Sequence, residues 1–332
     1  MSVPNKGTRR MPDLERTTTG QRGLFAGVDG GGTKTHAVIT DADGRVLGEG
    51  SGGAANPLRV GIETSISNIF SAIENACDAA SRKLSEIVAI ECGIAGVRRQ
   101  DFRSILRERI SQLTRVRTVE VVTDAEIALY GATLGEKGLV IIAGTGSVCI
   151  GQDSDGKVAV AGGWGPLAGD EGGGSGIGRR ALQAIAKASD GRGRPTALSD
   201  LAVQYFRAGK LENLSVSIYA PGVDNARIAG FAKHVVAVAT GGDVVAREIL
   251  DEAGRELGAA AVAVIRKLKL EDDSFPIGHV GSVFNAGSLI TDSIFKVIHP
   301  VASRAHLVEP KTSPARAAAL LAARAFAGLT EK

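Results

Sequence analysis

Two glycine-rich segments have the composition of phosphate-binding turns. Residues 30–34 read GGGTK and residues 144–147 read GTGS, and each segment follows an apolar run typical of a buried strand. Because glycine has no side chain, consecutive backbone N–H groups can converge on an anion, and the hydroxyls of threonine and serine add donors. An ordinary tight turn uses the same residue types, so each segment alone leaves both interpretations open.

The first segment is close to a P-loop but does not match it. A P-loop needs lysine before its serine or threonine and a helix after it, whereas here Thr33 precedes Lys34 and residues 35–40 predict a strand. No G-x-G-x-x-G motif opens a helix anywhere in the chain. The sequence therefore disfavours a Walker-type NTPase and does not support a dinucleotide-binding fold.

Asp124 is a candidate general base. It follows residues 119–122, which predict a strand, and it precedes a helical pattern; α/β folds place reacting groups at such strand ends. A carboxylate there can accept the proton of an attacking hydroxyl, a role that contributes roughly 10²- to 10⁴-fold in rate. Aspartate is also favoured as a helix N-cap, so spacing alone supports base and cap equally.

Two further loops carry groups that suit small-molecule binding. Residues 162–172 place the only tryptophan of the chain, Trp164, among glycines and then put Asp170 before a predicted helix. Such a loop exposes backbone and a carboxylate to a polyol, although Asp170 is equally suited to cap the helix. Gly281 and Ser282 follow a predicted strand, at a turn where a flat base could lie on the backbone, and as an isolated motif this is weak.

These residues depend on regular elements to bring them together. Residues 24–53 predict a three-stranded meander. Residues 62–122 predict helix, strand, helix and strand, a pattern that implies right-handed crossovers and a mixed sheet with helices packed on it.

The second half of the chain repeats the beginning. An offset of 112 residues pairs Gly32-Thr33 with Gly144-Thr145, and it also pairs residues 43–46 with residues 155–158. One register satisfies every pair, so a duplicated meander that starts each of two domains is favoured over two hairpins with the same turn chemistry.

Composition and charge restrict the class of protein. The chain has 332 residues, of which 44% are hydrophobic and 23% charged, values typical of a soluble globular protein large enough for two domains. The first 22 residues carry the whole net charge of +3 and predict a disordered basic tail. The remainder is neutral, which argues against a nucleic acid partner, and no apolar run is long enough to span a membrane.

Three scattered cysteines, Cys77, Cys92 and Cys149, indicate a reducing compartment, and we expect a cytoplasmic protein.

Taken in order, six motifs resemble the N-acetylglucosamine kinase branch of the BadF-type ATPase family. That family belongs to the superfamily of actin, heat-shock chaperones and sugar kinases. The resemblance runs from about residue 24 to residue 325. The motifs are Gly27–Lys34 (GVDGGGTK), Val122–Asp124 (VTD), Ala143–Ser147 (AGTGS), Gly162–Gly165 (GGWG), Gly169–Gly172 (GDEG) and Val280–Ser282 (VGS).

The resemblance implies an α/β protein of two ribonuclease-H-like, actin-like ATPase domains with a cleft between them. The N-terminal domain would span residues 23–134 with a returning helix at 313–330, and the C-terminal domain residues 135–312. The implied activity is transfer of a phosphoryl group from ATP, with Mg²⁺, to the 6-hydroxyl of N-acetylglucosamine or a related amino sugar. Relatives also suggest a homodimer.

The resemblance also implies roles for individual residues. Asp124 matches the catalytic base, and Asp29 is assigned to Mg²⁺ through water. The implied ATP-binding residues are Gly31, Gly32, Thr33, Lys34, Gly144, Thr145, Gly146, Ser147, Ala229, Gly281 and Ser282. The implied sugar-binding residues are Asn56, Asp124, Gly163, Trp164, Gly165 and Asp170.

Other functions remain as alternatives. Pro57 and the glycine run at 172–174 depart from vertebrate members near the expected sugar pocket, which leaves glucosamine, N-acetylmuramic acid or another hexose as acceptor. The activator ATPases of the family need grouped cysteines for an iron–sulfur cluster, and the three cysteines are not grouped. A sugar sensor without activity would be free to lose its base, whereas Asp124 is present.

Overall fold

Strands and helices alternate along the chain in the computed structural model, which describes residues 23–330. The tail predicted over residues 1–22 lies outside the described residues. The strands are β1 Leu24–Gly30, β2 Thr35–Thr40, β3 Val46–Gly52, β4 Ile87–Ile94, β5 Thr118–Thr123, β6 Gly138–Ala143, β7 Ser147–Gln152, β8 Val158–Gly162, β9 Phe275–Val280 and β10 Ala305–Val308. The helices are α1 Pro57–Val60, α2 Ile62–Ala80, α3 Gln100–Thr114, α4 Asp124–Thr133, α5 Gly174–Ser189, α6 Leu198–Tyr205, α7 Leu214–Ile218, α8 Asn225–Gly230, α9 Ala232–Thr240, α10 Val244–Leu268, α11 Ser288–Ile298 and α12 Pro314–Thr330.

The chain folds into two compact units. One contains residues 23–136 and residues 310–330, and the other contains residues 137–309. Each unit has its own five-stranded sheet and its own hydrophobic core. None of the helices within residues 23–330 is both long and apolar enough to span a bilayer.

The two sheets share one topology. The first has the strand order β3-β2-β1-β4-β5 and the second the order β8-β7-β6-β9-β10. In each sheet the three meander strands pair antiparallel and the last two strands add in parallel. Parallel strands place their carboxyl ends at one edge, which is where an α/β sheet presents its functional loops. The predicted α/β class and the duplicated meander are confirmed.

The repeated Asp-x-Asp-Gly turns have the same geometry in both units. The Asp41 Oδ1 accepts hydrogen bonds from the N–H groups of Asp43 and Arg45 at 3.1 and 2.9 Å. The corresponding Oδ1 of Asp153 accepts from Asp155 and Lys157 at 3.0 and 2.9 Å. The same side-chain bonds explain why one register of 112 residues fits both turns.

The offset changes by one residue at the glycine-rich turns. In the first unit Gly30 aligns with Thr35, so four residues connect β1 and β2. In the second unit Ala143 aligns with Ser147, so three residues connect β6 and β7. The two candidate phosphate turns therefore occupy the same place in the two sheets but differ in length.

Helices cover the sheet of the first unit on both faces. The stripe of Ile66, Ile69 and Ile73 on α2 is buried in the same core as the strands. On the other face α12 approaches β1 at Gly27, where an added Cβ would lie 2.1 Å from the carbonyl oxygen of Ala315. Glycine is required at that position because the helix backbone lies directly on the strand.

Candidate functional site

The first glycine-rich turn leaves three consecutive backbone donors unused. The Gly31 N–H donates to the carbonyl of Lys34 at 2.9 Å. Within residues 23–330 the N–H groups of Gly32, Thr33 and Lys34 donate to no acceptor, and the side chains of Thr33 and Lys34 are exposed. Successive unpaired N–H groups in a turn make an anion-binding concavity. The phosphate-cradle interpretation therefore has a geometric basis in this unit.

The segment that carries Asn56 is fixed to this turn. The N–H groups of Ala55 and Asn56 both donate to the carbonyl of Gly31, at 3.0 and 3.2 Å. The Asn56 Oδ1 caps α1 by accepting from the N–H of Leu58 at 3.0 Å, while its Nδ2 makes no hydrogen bond among the described residues. The amide therefore keeps a donor that can bind a hydroxyl or carbonyl oxygen of a small molecule.

Close packing holds the side chain of Asn56 in place. Gly96 follows β4 with a φ of +82°, and a Cβ at Gly96 would lie 2.3 Å from the Asn56 Oδ1. A side chain at position 96 would therefore displace the asparagine.

Asp124 does not cap α4, so the capping interpretation of this residue is wrong. The N-cap is Thr123, whose Oγ1 accepts from the N–H of Glu126, while the Glu126 Oε2 accepts from the Thr123 N–H at 2.7 Å. This reciprocal pair is a capping box. It leaves the half-buried carboxyl group of Asp124, which accepts from the N–H of Ala125 at 3.0 Å, available for another function.

The electrostatics of Asp124 suit a base that works near neutral pH. Burial, and next the nearby charge of Asp29, raise the pKa of Asp124 to about 6. Burial also raises the pKa of Asp29, and the positive charges of His36 and Lys34 partly oppose that rise. The two half-buried carboxyl groups lie at the ends of parallel strands of one sheet, and the charge of Asp29 disfavours ionisation of Asp124.

The described residues offer no closed metal site. No group of three or more His, Cys, Asp or Glu within residues 23–330 could enclose a metal ion. Asp29, near the end of β1, and Asp124, directly after β5, are the carboxylates that we consider for a cation. Magnesium commonly binds through one or two carboxylates while phosphates and water complete its shell, and this pair fits that pattern.

The second glycine-rich turn is more tightly bonded than the first. The Gly144 N–H donates to the carbonyl of Gly146 at 3.0 Å, and the Ser147 N–H donates to the Asp170 Oδ1 at 3.0 Å. Within the described ranges the N–H groups of Thr145 and Gly146 donate to no acceptor, and the side chain of Thr145 is exposed. Two backbone donors are thus open in this turn, against three in the first.

Asp170 supports this turn and does not cap α5. The N-cap of α5 is Gly173, which has no side chain to accept a bond, so the capping interpretation of Asp170 is wrong. Asp170 is only 7% exposed, and a Cβ on Gly146 would lie 2.5 Å from its Oδ2. Its carboxyl group is packed under the turn, and burial raises its pKa.

The amino terminus of α5 is attached to the same turn. The N–H groups of Gly174 and Ser175 donate to the carbonyls of Gly144 and Thr145 at 2.8 and 2.9 Å. A Cβ on Gly173 would lie 2.6 Å from the carbonyl carbon of Gly146. The glycine run before α5 therefore has a packing reason, because backbone lies against backbone there.

The other residues of the second unit that are predicted to bind ATP lie around this turn. A Cβ on Gly281 would lie 2.3 Å from the carbonyl oxygen of Ala143, so the loop that holds Gly281 and Ser282 touches the end of β6. A Cβ on Gly174 would lie 3.1 Å from the carbonyl oxygens of both Ala229 and Gly144. Sequence positions far apart thus meet at one edge of the second sheet.

The loop predicted to bind sugar lies beside the turn as well. The Gly163 N–H donates to the carbonyl of Ser147 at 2.9 Å. Trp164 is 73% exposed, and a Cβ on Gly169 would lie 3.2 Å from its Cβ, so the loop folds back on itself near Gly165. A large exposed ring on a loop of this kind is suited to stack on a sugar face.

The structure places two further charged residues, Arg59 and Glu91, in positions that the sequence analysis did not predict. The first is Arg59, whose Nη1 donates to the carbonyl of Gly32 at 2.8 Å across 27 positions, a contact for which the sequence holds no signal. The second is Glu91, a buried acid in the middle of β4. An acid within the otherwise apolar run Ile87–Ile94 was a visible signal, because buried strands rarely hold an unpaired carboxyl group.

Known proteins match nearly the whole of this chain. Residues 26–322 match the model of the BadF/BadG/BcrA/BcrD ATPase family. A protein of Clostridium acetobutylicum named N-acetylmuramic acid/N-acetylglucosamine kinase is 33% identical over 89% of this chain and 97% of its own length. The N-acetyl-D-glucosamine kinase of Dictyostelium discoideum is 29% identical over 90% of this chain and 97% of its own.

Solved structures show the same fold. A Chromobacterium violaceum structure named for N-acetylglucosamine kinase superposes with a TM-score of 0.74 at 29% identity, covering 90% of this chain and 98% of that one. A ROK family glucokinase from Streptomyces griseus, with glucose and AMPPNP, gives a TM-score of 0.62 at 21% identity over 91% of this chain and all of that one, and shows the fold alone.

Proposed function

Because the chain belongs to the BadF/BadG/BcrA/BcrD ATPase family, we propose that it is an ATP-dependent kinase that phosphorylates a hydroxyl of an amino sugar. We propose N-acetylglucosamine as the acceptor and its 6-hydroxyl as the reacting group. The observation that carries the proposal is Asp124, a carboxyl group released from helix capping and with its pKa raised to about 6.

Asp124 would orient the sugar hydroxyl and take its proton. Phosphoryl transfer passes through a loose transition state, so alignment of the acceptor and stabilisation of charge matter more than early proton removal. With a pKa of about 6, Asp124 is mostly ionised at pH 7 and still basic enough to receive the proton late in the reaction. A carboxylate with an ordinary pKa would be a weaker base.

The unused N–H groups would bind the phosphates. Gly32, Thr33 and Lys34 in the first turn and Thr145 and Gly146 in the second present their N–H groups without internal acceptors among the described residues. We assign both turns to ATP. Ser147 would contribute its hydroxyl only, because its N–H already donates to Asp170.

We propose Mg²⁺ as the cation because the carboxyl groups of Asp29 and Asp124 can bind it. When bound, the ion would neutralise phosphate charge during transfer. Asp29, whose carboxyl group accepts no hydrogen bond within residues 23–330, would hold it through water. Asp29 has a raised pKa, and a cation beside it would favour its ionised form.

We propose that Asn56, Gly163, Trp164 and Gly165 bind the sugar. Asn56 offers its Nδ2, Trp164 offers an exposed ring, and the backbone of Gly163 and Gly165 borders that ring. Asp170 is in a different position, since one of its oxygens is bonded to Ser147 and the group is buried. We therefore propose that Asp170 acts on the sugar at most through its remaining oxygen, while it supports the ATP turn.

The names of two relatives suggest other sugars as the acceptor. The Clostridium acetobutylicum protein is named for N-acetylmuramic acid as well as N-acetylglucosamine, and a Vibrio cholerae protein that is 31% identical over 55% of this chain is named glucosamine kinase. N-acetylmuramic acid and glucosamine are therefore the alternatives to test.

We also propose a cytoplasmic homodimer. The free thiols of all three cysteines suit a reducing compartment.

Coupled detection of ADP tests the proposal. Purified protein should convert ATP to ADP only when an amino sugar is added, and a panel of N-acetylglucosamine, N-acetylmuramic acid, glucosamine and glucose identifies the acceptor. Asp124→Asn should lose about 10²- to 10⁴-fold in kcat and keep its sugar affinity. Asp101→Asn, in the exposed first turn of α3, is the matched control. Equal ATP hydrolysis with and without every sugar contradicts the assignment.

A further inference from the structure

Arg103, on α3, joins two segments of the first unit that lead to site residues. Its side chain is half-buried, with 23% of its surface exposed. Its Nε donates to the carbonyl of Val97 at 2.9 Å, and its Nη2 donates to the Glu126 Oε2 at 3.2 Å. The first acceptor lies in the loop after β4, and the second lies in the first turn of α4. One guanidinium therefore bonds to two segments that are distant in the sequence.

The bond to Glu126 acts on the start of α4. The same Oε2 accepts from the N–H and from the hydroxyl of Thr123, both at 2.7 Å, so one carboxylate oxygen receives three donors. Thr123 is the N-cap, and Asp124 is the next residue. A charged donor strengthens a hydrogen bond to a carboxylate and restricts its side chain. Arg103 thus stabilises the capping box from which Asp124 projects.

The bond to Val97 acts on the side chain of Asn56. Val97 is fully buried, and it follows Gly96, where a Cβ would lie 2.3 Å from the Asn56 Oδ1. At the other end of this loop the Ala95 N–H donates to the carbonyl of the last residue of β1 at 2.8 Å. The loop backbone limits where the amide of Asn56 can lie, and Arg103 holds that backbone on the side of α3.

The two acceptors are close together because the strands before them pair. Ile94 aligns with Thr123 at the ends of β4 and β5, so the loop after β4 and the start of α4 leave the sheet side by side. The Nε and Nη2 donors lie on one edge of the planar guanidinium and reach both acceptors at once. Lysine has a single nitrogen and no such fork, so this position requires arginine.

We propose that Arg103 is a positioning residue that holds Asp124 and the amide of Asn56 in one arrangement around the sugar. The inference rests on the proposed kinase function and adds a residue that acts through Glu126 and Val97. Phosphoryl transfer depends on alignment of the acceptor, and a displacement of about 1 Å can cost about 10²-fold in rate. Loss of Arg103 should therefore reduce sugar turnover and sugar affinity while nucleotide affinity is kept.

Two variants and one control separate positioning from general support of the fold. Arg103→Gln removes the charge and shortens the side chain, so it cannot bond to both acceptors. Arg103→Lys keeps the charge on one nitrogen, and it is the milder variant to use if Arg103→Gln does not fold. Arg109→Gln, on the same helix, removes an exposed ion pair with Glu63 at 2.8 Å and is the matched control.

Kinetics and calorimetry give separate readouts. We expect Arg103→Gln to lower kcat about 10- to 10²-fold and to weaken N-acetylglucosamine binding about three- to tenfold, with the affinity for AMPPNP within about twofold of wild type. Arg103→Lys should fall between wild type and Arg103→Gln. In the Asp124→Asn background, Arg103→Gln should lower kcat by less than about threefold more, because the carboxyl group that it positions is already gone. Arg109→Gln should match wild type throughout.

Amide hydrogen exchange provides a readout that does not depend on activity. In Arg103→Gln the exchange rates should increase in residues 95–97 and 123–126, because each segment loses its bond to the guanidinium. Residues 144–147, in the second unit, should exchange as in wild type.

The outcomes distinguish the two proposals. Wild-type protein without sugar-dependent ADP formation defeats the kinase assignment, and hydrogen exchange then decides whether Arg103 holds the two segments. Active wild type with Arg103→Gln within about threefold of it in kcat overturns the role of Arg103. An equal loss of kcat in the wild-type and Asp124→Asn backgrounds also overturns it, as does an equal loss of sugar and AMPPNP affinity, because either result shows a general distortion of the unit.

Discussion

The hydroxyl of Thr123 caps α4, and the carboxyl group of Asp124 is therefore one residue past the cap. Both residues are good caps, yet only one can occupy the position at a helix start. Glu126 decides between them, because its carboxylate bonds to both the N–H and the hydroxyl of Thr123 at 2.7 Å. The consequence is an acid at a strand end that no structural task requires, which is what a general base needs.

The activity of the protein should fall at acid pH with an apparent pKa of about 6. That is the pKa of Asp124, and a base must be ionised to accept a proton. Below pH 6, kcat/KM for the sugar should fall about tenfold for each pH unit, and above it a plateau is expected. The measurement is the pH dependence of sugar-dependent ADP formation. The control Asp101→Asn should keep the same limb, and a limb near pH 4 would contradict the assignment of Asp124.

Asp29→Asn should move that limb to lower pH. The negative charge of Asp29 disfavours ionisation of Asp124, so its removal lowers the pKa of Asp124. The informative readout is the position of the limb in a pH profile, because the rate itself should also fall if Asp29 holds magnesium. A limb that stays near pH 6, or moves to higher pH, shows that the two carboxyl groups are not coupled. Asp78→Asn, on α2, provides the matched control.

Local signals in the sequence predicted the fold well. The Asp-x-Asp-Gly turns form because each needs only residues within four positions of Asp41 or Asp153. The same is true of α4: the spacing Thr123-x-x-Glu126 is a capping-box signature, and it is sufficient to predict from the sequence that Thr123, and not Asp124, caps the helix.

Long-range contacts were beyond sequence reasoning. Asp170 bonds to Ser147 across 23 positions and Arg59 to Gly32 across 27, and no periodicity encodes either contact. The pairing depends on where α1 and the loop before α5 return to the sheet. The resemblance to a family predicts Asp170 as a sugar-binding residue, and only the structure shows that its carboxyl group is buried under the second turn.

Glu91→Gln should stabilise the protein at mildly alkaline pH. Glu91 aligns with Gly27 and Glu120 in the first sheet and is only 6% exposed; burial, and next Glu120 and Glu126, raise its pKa from 4.5 to about 8. Between these values the folded protein binds a proton that the unfolded chain does not. The free energy of unfolding should therefore decrease as pH rises from about 5 to 8, with a slope approaching ~1.4 kcal/mol per pH unit from this group.

The comparison that checks this is denaturant unfolding of wild type and Glu91→Gln at pH 5, 6.5 and 8. The difference in stability should grow with pH in favour of the variant, since the amide cannot ionise. Glu74→Gln, at an exposed position of α2, should show no such trend. A constant difference across the three pH values means that Glu91 is already ionised in the folded state.

Gly146→Ala should destabilise the second unit where Gly144→Ala does not. An added Cβ at position 146 would lie 2.5 to 2.8 Å from the carboxyl atoms of Asp170, whereas one at position 144 would meet nothing within 4 Å. The buried carboxyl group cannot move without breaking its bond to the Ser147 N–H, so overpacking should cost about 1–3 kcal/mol. Thermal unfolding of the two variants makes the comparison at neighbouring positions of one turn. The double variant Gly146→Ala/Asp170→Ala should recover part of the loss, because the atoms that clash with the methyl group are gone; no recovery would mean that Gly146 is needed for its backbone alone.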